Sequence, residues 1–358
     1  MRLKVNRGHM KIECLPLSHD RRIGDGAYPP VAAVVGAGAW GTALAAAFSR
    51  GGYLVNLWTR QARVVASIRD RRRNPAYLSD VQLPEGLAAT TDLAGALRGA
   101  EVVVMAVPSS ALRVIARRIG PLLPADVPVL FASKGLEKGS GAFMTEVAEA
   151  VFAGRLVGVL TGPGFAAEVT RGEPTVLTLA MAALAGQKTV GRGAREFAET
   201  FKTRLARGGI SVAITDDVVG AQVGGALKNV IAIACGMAAG RGFGENARAA
   251  IITRGFEDMR KLAVALGGRA ETLLGSCGAG DVFLTCASTQ SRNYRLGVAL
   301  ARGDEPPAGV VEGISTAEAV RMLEQDADID LRLPPVIRAL WAHEISPEQA
   351  LERLLGVD

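Results

Sequence analysis

Histidine is almost absent from this sequence of 358 residues. Its three histidines are His9, His19 and His343, so residues 20–342 contain none. We therefore expect neither a Ser-His-Asp triad nor a histidine general base in the body of the chain. Any acid–base chemistry there must use lysine, aspartate, glutamate or tyrosine.

Cysteine and aromatic residues are also scarce. The four cysteines form no CxxC pair, and none has a histidine at metal-ligand spacing. A disulfide framework and a metal site are therefore not expected, and reduced thiols fit a cytoplasmic protein. Aromatic residues make up only 5% of the chain, so the core must be built from aliphatic side chains.

The chain lacks a concentrated positive patch and a membrane span. Its net charge is +6, but arginine is scattered and the one dense run is 71–73. We expect no nucleic-acid partner, although a mild positive field would attract a small anionic substrate. The most apolar stretch, 218–239, contains Gln222, Lys228 and Asn229, which favours a buried helix over membrane insertion.

Hydrophobic patterning divides the chain into three parts. Residues 1–30 show no apolar periodicity and are predicted to be an N-terminal extension. Residues 31–215 alternate strands with helices, as in an α/β domain with a parallel, doubly wound Rossmann-type sheet. Residues 216–358 form a predicted all-helical C-terminal domain. The predicted strands are 31–35, 53–58, 87–90, 101–107, 127–132, 156–161 and 175–179, and the main predicted helices are 62–73, 109–119, 217–238, 246–266, 292–302, 315–325 and 335–342.

A glycine-rich turn follows the first predicted strand. Gly36, Gly38 and Gly41 have GxGxxG spacing between a strand and a helix, which is the context of a dinucleotide-binding loop. Gly36 permits a tight turn, Gly38 lets the main chain approach a pyrophosphate, and Gly41 allows close packing of helix on strand. The phosphates would then lie at a helix N-terminus, where free N–H groups favour anions.

The second predicted strand lacks the acidic residue that usually binds an NAD ribose. It ends in Trp58-Thr59-Arg60, followed by Arg63. A guanidinium at this position suits a 2′-phosphate, so the sequence favours NADP(H) over NAD(H). The alternative is an exposed arginine at a strand end, which would leave the preference undecided.

Three further segments carry polar residues suited to chemistry. Lys134 follows a predicted strand, where ligands of open α/β sheets bind. Lys228, followed by Asn229, lies in an apolar helix and either reaches solvent or serves as an acid–base group at a cleft. Asp281 precedes the segment 291–293, Ser-Arg-Asn, which can cap a helix or bind a phosphate through its arginine.

Together these segments resemble bacterial NAD(P)H-dependent glycerol-3-phosphate dehydrogenases. The resemblance runs from about Val31 to the C-terminus and rests on several separate motifs. They are GAGAWGTALA, VPSSALR, SKGLE, GPGFAAEV, ALKNVIAIACGMAAG, NARAAIITRG, GAGD, TQSRN and VVEG. Such an enzyme reversibly reduces dihydroxyacetone phosphate to sn-glycerol 3-phosphate, which feeds glycerophospholipid synthesis, and it needs no metal.

The resemblance also implies roles for individual residues. Lys228 matches the proton-transferring lysine, Lys134 contacts cofactor and substrate, and Asp281 completes the catalytic set. The cofactor-binding residues implied are Gly36, Gly38, Ala39, Trp40, Gly41, Arg60, Lys134, Ala166, Arg292, Val310 and Glu312. The substrate-binding residues implied are Lys134, Gly162, Gly164, Lys228, Asp281, Ser291, Arg292 and Asn293.

Two positions depart from the family pattern. Ala39 stands where the family usually has serine, and Gly164 where it has serine or threonine, so one hydroxyl is lost near the pyrophosphate and one near the substrate.

Two alternative functions stay open: a related dehydrogenase of the ketopantoate or 6-phosphogluconate type, and a cofactor-binding protein without turnover. The family further suggests a homodimer.

Overall fold

The computed structural model of this protein describes residues 29–185, 193–307 and 311–356. Within them, one sheet of eight strands forms the centre of a Rossmann-like N-terminal domain. The strands are β1 Val31–Val35, β2 Leu54–Trp58, β3 Leu87–Thr90, β4 Ala100–Met105, β5 Val129–Phe131, β6 Val157–Thr161, β7 Thr175–Ala180 and β8 Ile210–Thr215. They lie in the order β3-β2-β1-β4-β5-β6-β7-β8.

Helices cover this sheet because its strands are apolar on both faces. Every residue of β1 is buried. Its alternate side chains enter two different cores: Val34 lies in the same core as Phe48, and Val35 in the same core as Leu112. The helices of this domain are α1 Ala39–Arg50, α2 Ala62–Arg71, α3 Leu93–Leu97, α4 Ser109–Ile119, α5 Met144–Glu149, α6 Ala166–Arg171 and α7 Ala194–Arg207.

The prediction of a doubly wound α/β domain is confirmed, but the sheet is mixed rather than wholly parallel. β7 pairs antiparallel with β6, whereas β1 to β6 pair in parallel. The connection from β6 to β7 contains only the six-residue helix α6. At 1.5 Å per residue this helix is about 9 Å long, too short to return the chain to the start of the sheet.

The sequence did not predict the short helices α3, α5 and α6, nor two longer elements near the end of this domain, α7 and β8. β8 pairs in parallel with β7 at the edge of the sheet. Ser211 and Ala213 of β8 are exposed, so the strand lacks the continuous apolar run of the central strands. α7 is an amphipathic helix that buries Phe197 and Phe201.

The C-terminal domain is helical throughout its described part, as predicted. Its helices are α8 Val218–Gly240, α9 Glu245–Ala265, α10 Asp281–Cys286, α11 Arg292–Arg302, α12 Glu312–Asp326, α13 Leu333–Trp341 and α14 Pro347–Leu355, with a π-helical turn at Ser276–Gly280. The predicted division at residue 215 falls between β8 and α8 and stays a prediction.

α8 is the central helix of this domain. Among the described residues it alone is long and apolar enough to cross a membrane, yet 89% of its most apolar window is buried inside the protein. This burial agrees with the prediction of a core helix. α8 packs very closely on α11, since a Cβ at Gly236 would overlap the carbonyl oxygen of Tyr294, and one at Gly297 would overlap that of Ile233. The contact brings the N-terminus of α11 beside the middle of α8.

Candidate active site

The glycine-rich loop connects β1 to α1, and each of its glycines has a different environment. Gly36 has a φ of +116°, and a Cβ there would lie 2.6 Å from the carbonyl oxygen of Ala106. A Cβ at Gly41 would overlap the carbonyl oxygen of Gly36. Gly38 is the N-cap of α1 and has no atom within 4 Å of its Cβ position. The loop is therefore closely packed at both ends and open at Gly38, beside the N-terminus of α1.

The C-terminal end of β2 lies next to this loop. Arg60 is exposed there. The next residue, Gln61, donates from Nε2 to the hydroxyl of Tyr77 at 3.5 Å, and it accepts a hydrogen bond from Nε of Arg63 at 3.2 Å. Tyr77 is 48% exposed. Arg60 and the Tyr77 ring thus lie on the same exposed side of the domain, at the end of β2.

Three of the predicted residues meet between the two domains. The carboxylate of Asp281 is completely buried and lies between two ammonium groups. Nζ of Lys228 donates to its Oδ1 at 2.7 Å, and Nζ of Lys134 donates to its Oδ2 at 2.5 Å. α8 supplies Lys228, the N-terminus of α10 supplies Asp281, and the residues just after β5 supply Lys134.

Each ammonium group makes one further hydrogen bond. Lys134 donates to the carbonyl oxygen of Gly162 at 2.8 Å, and Lys228 donates to the hydroxyl of Thr285 at 2.9 Å. Because an ammonium group has three N–H donors, these contacts leave one donor on each lysine that no other described residue accepts. Burial lowers the pKa of Lys134 to about 8; the nearby charge of Asp281 opposes this shift, and that of Lys228 adds to it.

A chain of amide hydrogen bonds runs from Asn229, next to Lys228 on α8, to α11 and α12. Nδ2 of Asn293 donates to Oδ1 of Asn229 at 2.8 Å, and Oδ1 of Asn293 accepts from the main-chain N–H of Gly313 at 2.9 Å. Nδ2 of Asn229 reaches Oε2 of Glu312 at 3.5 Å. Burial raises the pKa of Glu312, although the positive charges of Lys228, Lys134 and Arg292 oppose the shift.

The residues of the Ser-Arg-Asn segment have separate environments. Ser291 caps α11, its hydroxyl accepting from the N–H of Tyr294 at 3.2 Å. The Arg292 side chain is exposed, and Asn293 is buried. The helix-cap interpretation therefore holds for Ser291, while Arg292 is left available to a ligand. Val310, another residue implied by the resemblance, lies outside the described residues.

The loop after β6 closes the site from the N-terminal domain. A Cβ at Gly164 would lie 2.8 Å from Cη2 of Trp40, so the indole ring fills the space of a side chain at this position. The same ring lies 5.9 Å from Nζ of Lys134. Ala39 begins α1 with Trp40, and Ala166 begins α6. Among the described residues, Nε1 of Trp40 is buried without a hydrogen-bond partner.

Comparison with known proteins identifies the family of this chain. The N-terminal and C-terminal models of NAD-dependent glycerol-3-phosphate dehydrogenase match residues 31–186 and 217–352. The chain is 44% identical over 332 residues to glycerol-3-phosphate dehydrogenase [NAD(P)+] of Rhodospirillum rubrum, covering 90% of this chain and 91% of that protein. It is 43% identical over 331 residues to the enzyme of that name from Stenotrophomonas maltophilia strain R551-3, covering 90% and 94% of the two chains.

A solved structure gives the same result. The crystal structure of glycerol-3-phosphate dehydrogenase from Coxiella burnetii is similar with a TM-score of 0.83 and 34% identity, covering 91% of this chain and 98% of that one. The chain belongs to the NAD-dependent glycerol-3-phosphate dehydrogenase family. Family membership thus decides against the ketopantoate and 6-phosphogluconate dehydrogenase types considered above.

In this glycerol-3-phosphate dehydrogenase family member, sequence reasoning missed the role of Thr285 in the site. Thr285 lies four residues after Asp281 on α10, and its hydroxyl contacts both Lys228 Nζ and, at 3.3 Å, Asp281 Oδ1. Residues four apart share one face of a helix, so this spacing could have revealed it. A second missed residue is Thr161 at the end of β6, whose hydroxyl is buried without a partner among the described residues.

Proposed function

We propose that this chain catalyses the reversible reduction of dihydroxyacetone phosphate to sn-glycerol 3-phosphate, with a nicotinamide dinucleotide as the redox cofactor. The observation that carries the proposal is the pair of lysines on one buried carboxylate, Lys228 buried and Lys134 partly buried, each with one N–H donor left over by its contacts to the described residues. Two such donors can bind the oxygen of a carbonyl group. Family membership supplies the substrate class.

The residues around the glycine-rich loop fit a dinucleotide. The open face at Gly38 and the N–H groups of the first turn of α1 suit a pyrophosphate. Nε1 of Trp40, which has no hydrogen-bond partner among the described residues, lies at the same helix start. Ala39 loses a hydroxyl there, which main-chain N–H groups can replace. When bound, the nicotinamide would supply or accept the hydride. We assign Gly36, Gly38, Gly41 and Ala166 to the main-chain contacts of this cofactor.

In the reductive direction, negative charge grows on the carbonyl oxygen of the substrate. Lys228, as an ammonium, stabilises that oxygen and then transfers a proton to it. Lys134 adds positive charge beside it, and Asp281 holds both ammonium groups in place. In the oxidative direction, deprotonated Lys228 accepts the proton of the hydroxyl group. These steps need no metal ion.

The phosphate of the substrate needs a cationic pocket of its own. Lys134 and Lys228 are committed to Asp281 and the reacting oxygen, which leaves Arg292. Arg292 is the first residue of α11 and its side chain is exposed, so the main-chain N–H groups of the helix start can add to its charge. We propose that Arg292 binds this phosphate and that Asn293 and Ser291 fix the start of the helix around it.

The experiment that tests the activity is oxidation of NADPH with a panel of ketones. We expect turnover with dihydroxyacetone phosphate and little with dihydroxyacetone or ketopantoate. The chain should likewise oxidise sn-glycerol 3-phosphate but not 6-phosphogluconate with NADP+. A chain that binds NADPH but turns over no ketose phosphate would instead be a cofactor-binding protein.

We further propose that NADP(H) is preferred over NAD(H), because Arg60 can bind a 2′-phosphate and no acid competes for the ribose at the end of β2. A charge-assisted contact is worth about 1.5–3 kcal/mol, or roughly 10- to 150-fold in affinity. Arg60→Asp should therefore shift the ratio of kcat/KM values toward NADH. Arg98→Asp serves as the matched control, because Arg98 is exposed at the end of α3 just before β4, at the opposite end of the strands from the glycine-rich loop. Wild-type preference for NADH would contradict the proposal.

The setting of the enzyme is proposed from its family. The product would supply the glycerol phosphate backbone of phospholipids in the cytoplasm, without nucleic-acid partners or membrane insertion, and the chain would act as a homodimer. Complementation of a bacterial glycerol auxotroph tests whether the product supplies phospholipid synthesis. Light scattering of the purified chain tests whether it is a homodimer, and a monomer at micromolar concentration would contradict that proposal.

A further inference from the structure

Asn74 is completely buried beside the glycine-rich loop, although it lies in a polar stretch of sequence between Arg73 and Pro75. Its Nδ2 donates to the carbonyl oxygen of Ala37 at 3.0 Å and to the hydroxyl of Thr42 at 2.8 Å. Ala37 lies within the loop, and Thr42 lies in the first turn of α1. One amide group therefore joins the loop to the helix that follows it.

The acceptors determine the orientation of this amide. A carbonyl oxygen can only accept, so the NH2 group of Asn74 must face Ala37. Oδ1 of Asn74 is consequently buried without a hydrogen-bond partner among the described residues. A buried, unpaired acceptor costs free energy. A residue without a buried, unpaired acceptor would avoid this cost. We therefore attribute the presence of an amide at this position to the two hydrogen bonds that Nδ2 donates.

The main chain of Asn74 holds a second part of the candidate cofactor site. Its carbonyl oxygen accepts hydrogen bonds from the N–H groups of Tyr77, at 3.2 Å, and Leu78, at 2.8 Å. This turn presents the Tyr77 ring beside Gln61 at the end of β2. Asn74 therefore connects the turn that carries Tyr77 to the loop that faces the pyrophosphate.

We propose that Asn74 is a positioning residue for dinucleotide binding. Its amide fixes the peptide that enters Gly38 relative to the first turn of α1, so that the free N–H groups of that turn converge on the diphosphate. The inference rests on the proposed function only in requiring a dinucleotide as ligand. It is tested by binding, without turnover.

The experiment measures binding of ADP-ribose and AMP by calorimetry to the full chain. ADP-ribose carries the diphosphate, and AMP does not. In Asn74→Asp the shape is kept, but a carboxylate oxygen replaces the donor that faces Ala37. We expect this variant to bind ADP-ribose about 10- to 100-fold more weakly and AMP within about threefold of wild type. At saturating NADPH its KM for dihydroxyacetone phosphate should be unchanged.

Asn56 provides a matched control. It is a buried amide on β2 whose Nδ2 donates to the carbonyl oxygen of Ala96 at 3.3 Å, away from the glycine-rich loop. Asn56→Asp should lower the melting temperature but leave ADP-ribose affinity unchanged. Equal losses of ADP-ribose affinity in the two variants would overturn the proposal, as would wild-type affinity in Asn74→Asp.

Thr42→Val keeps the test decisive if Asn74→Asp fails to fold. This isosteric change removes one acceptor of the Asn74 amide and should weaken ADP-ribose binding several-fold. Unchanged affinity would again overturn the proposal. A wild-type chain that binds ADP-ribose but reduces no ketose phosphate contradicts the proposed function alone, whereas one that binds neither nucleotide contradicts both.

Discussion

Replacing Asp281 by asparagine tests the electrostatic design of the candidate active site. The wild-type carboxylate is fully buried and accepts from Lys228 at 2.7 Å and from Lys134 at 2.5 Å. In Asp281→Asn the amide oxygen can accept from one lysine, but the NH2 group then faces the other ammonium. One charge-assisted hydrogen bond is lost, which is worth about 1.5–3 kcal/mol, or roughly 10- to 150-fold in kcat/KM.

The same substitution should change the pH dependence. The pKa of Lys134 is about 8, below its ordinary value of 10.5, and Asp281 is the main group that raises it against burial. Reduction of the ketone should therefore decline as the pH rises through about 8 in the wild type. Without the carboxylate, the pKa of Lys134 falls further, and this decline moves to lower pH.

The effect on stability has a definite sign. Since the pKa of Lys134 is lower in the folded state than in the unfolded state, the folded state binds fewer protons between about pH 8 and 10.5. The contribution of Lys134 to stability therefore rises with pH in this window and is lost as the pH falls through about 8. Asp281→Asn should extend the window downward and, at neutral pH, lower the free energy of unfolding by about 3–5 kcal/mol.

The assay is the loss of nicotinamide absorbance with dihydroxyacetone phosphate, measured across pH, with stability from denaturant titration. Asp258→Asn is the matched control. Asp258 is also buried, but among the described residues it accepts hydrogen bonds only from the main-chain N–H groups of Arg332 and Leu333 at the start of α13. It should lose stability and keep its pH profile. Two results would refute this role of Asp281. One is a kcat/KM of Asp281→Asn within about threefold of wild type; the other is a loss of activity in which the decline at high pH stays at the wild-type pH.

Three further substitutions address catalysis, substrate recognition and stability. Lys228→Ala should lower kcat about 10²- to 10⁴-fold and leave the Kd of NADPH unchanged, and a loss below about tenfold in a folded variant would remove Lys228 from the mechanism. Arg292→Ala should cost about 2–4 kcal/mol in kcat/KM for dihydroxyacetone phosphate, and Arg292→Lys should cost less. The loss for dihydroxyacetone should be much smaller; equal losses for both ketones would show that the phosphate binds elsewhere. Arg50 donates to the carbonyl oxygens of Val169 at 2.6 Å and Thr170 at 2.8 Å. Arg50→Met should therefore lower the free energy of unfolding by about 1–3 kcal/mol in denaturant titrations without changing KM. Unaltered stability would show that these two hydrogen bonds make no net contribution to stability.

The sequence alone was sufficient where the signal is local. The strand Val31–Val35 and the helix Ser109–Ile119 have the bounds that were predicted. Their hydrophobic runs, and the glycine spacing that follows the strand, are properties of neighbouring residues. The polar residues within the apolar stretch 218–239 likewise indicated that α8 is a core helix.

Local sequence patterns did not predict the direction of β7 or the presence of the edge strand β8. The antiparallel pairing of β7 with β6 depends on the length of the connection between them, not on the composition of either strand. β8 is half exposed at the edge of the sheet, so its residues resemble those of a loop. Pairing direction is decided when the sheet assembles.

The site itself depends on tertiary structure. Asp281 lies 147 residues from Lys134 and 53 from Lys228 in the chain, so no local pattern states that one carboxylate serves both lysines. The amide chain through Asn229 and Asn293 exists because glycines let α8 and α11 approach until their main chains touch. The sequence determined which residue types were available for hydride-transfer chemistry. Packing decided their partners, because hydrogen bonds and ion pairs form only between groups that the fold brings within about 3 Å of each other.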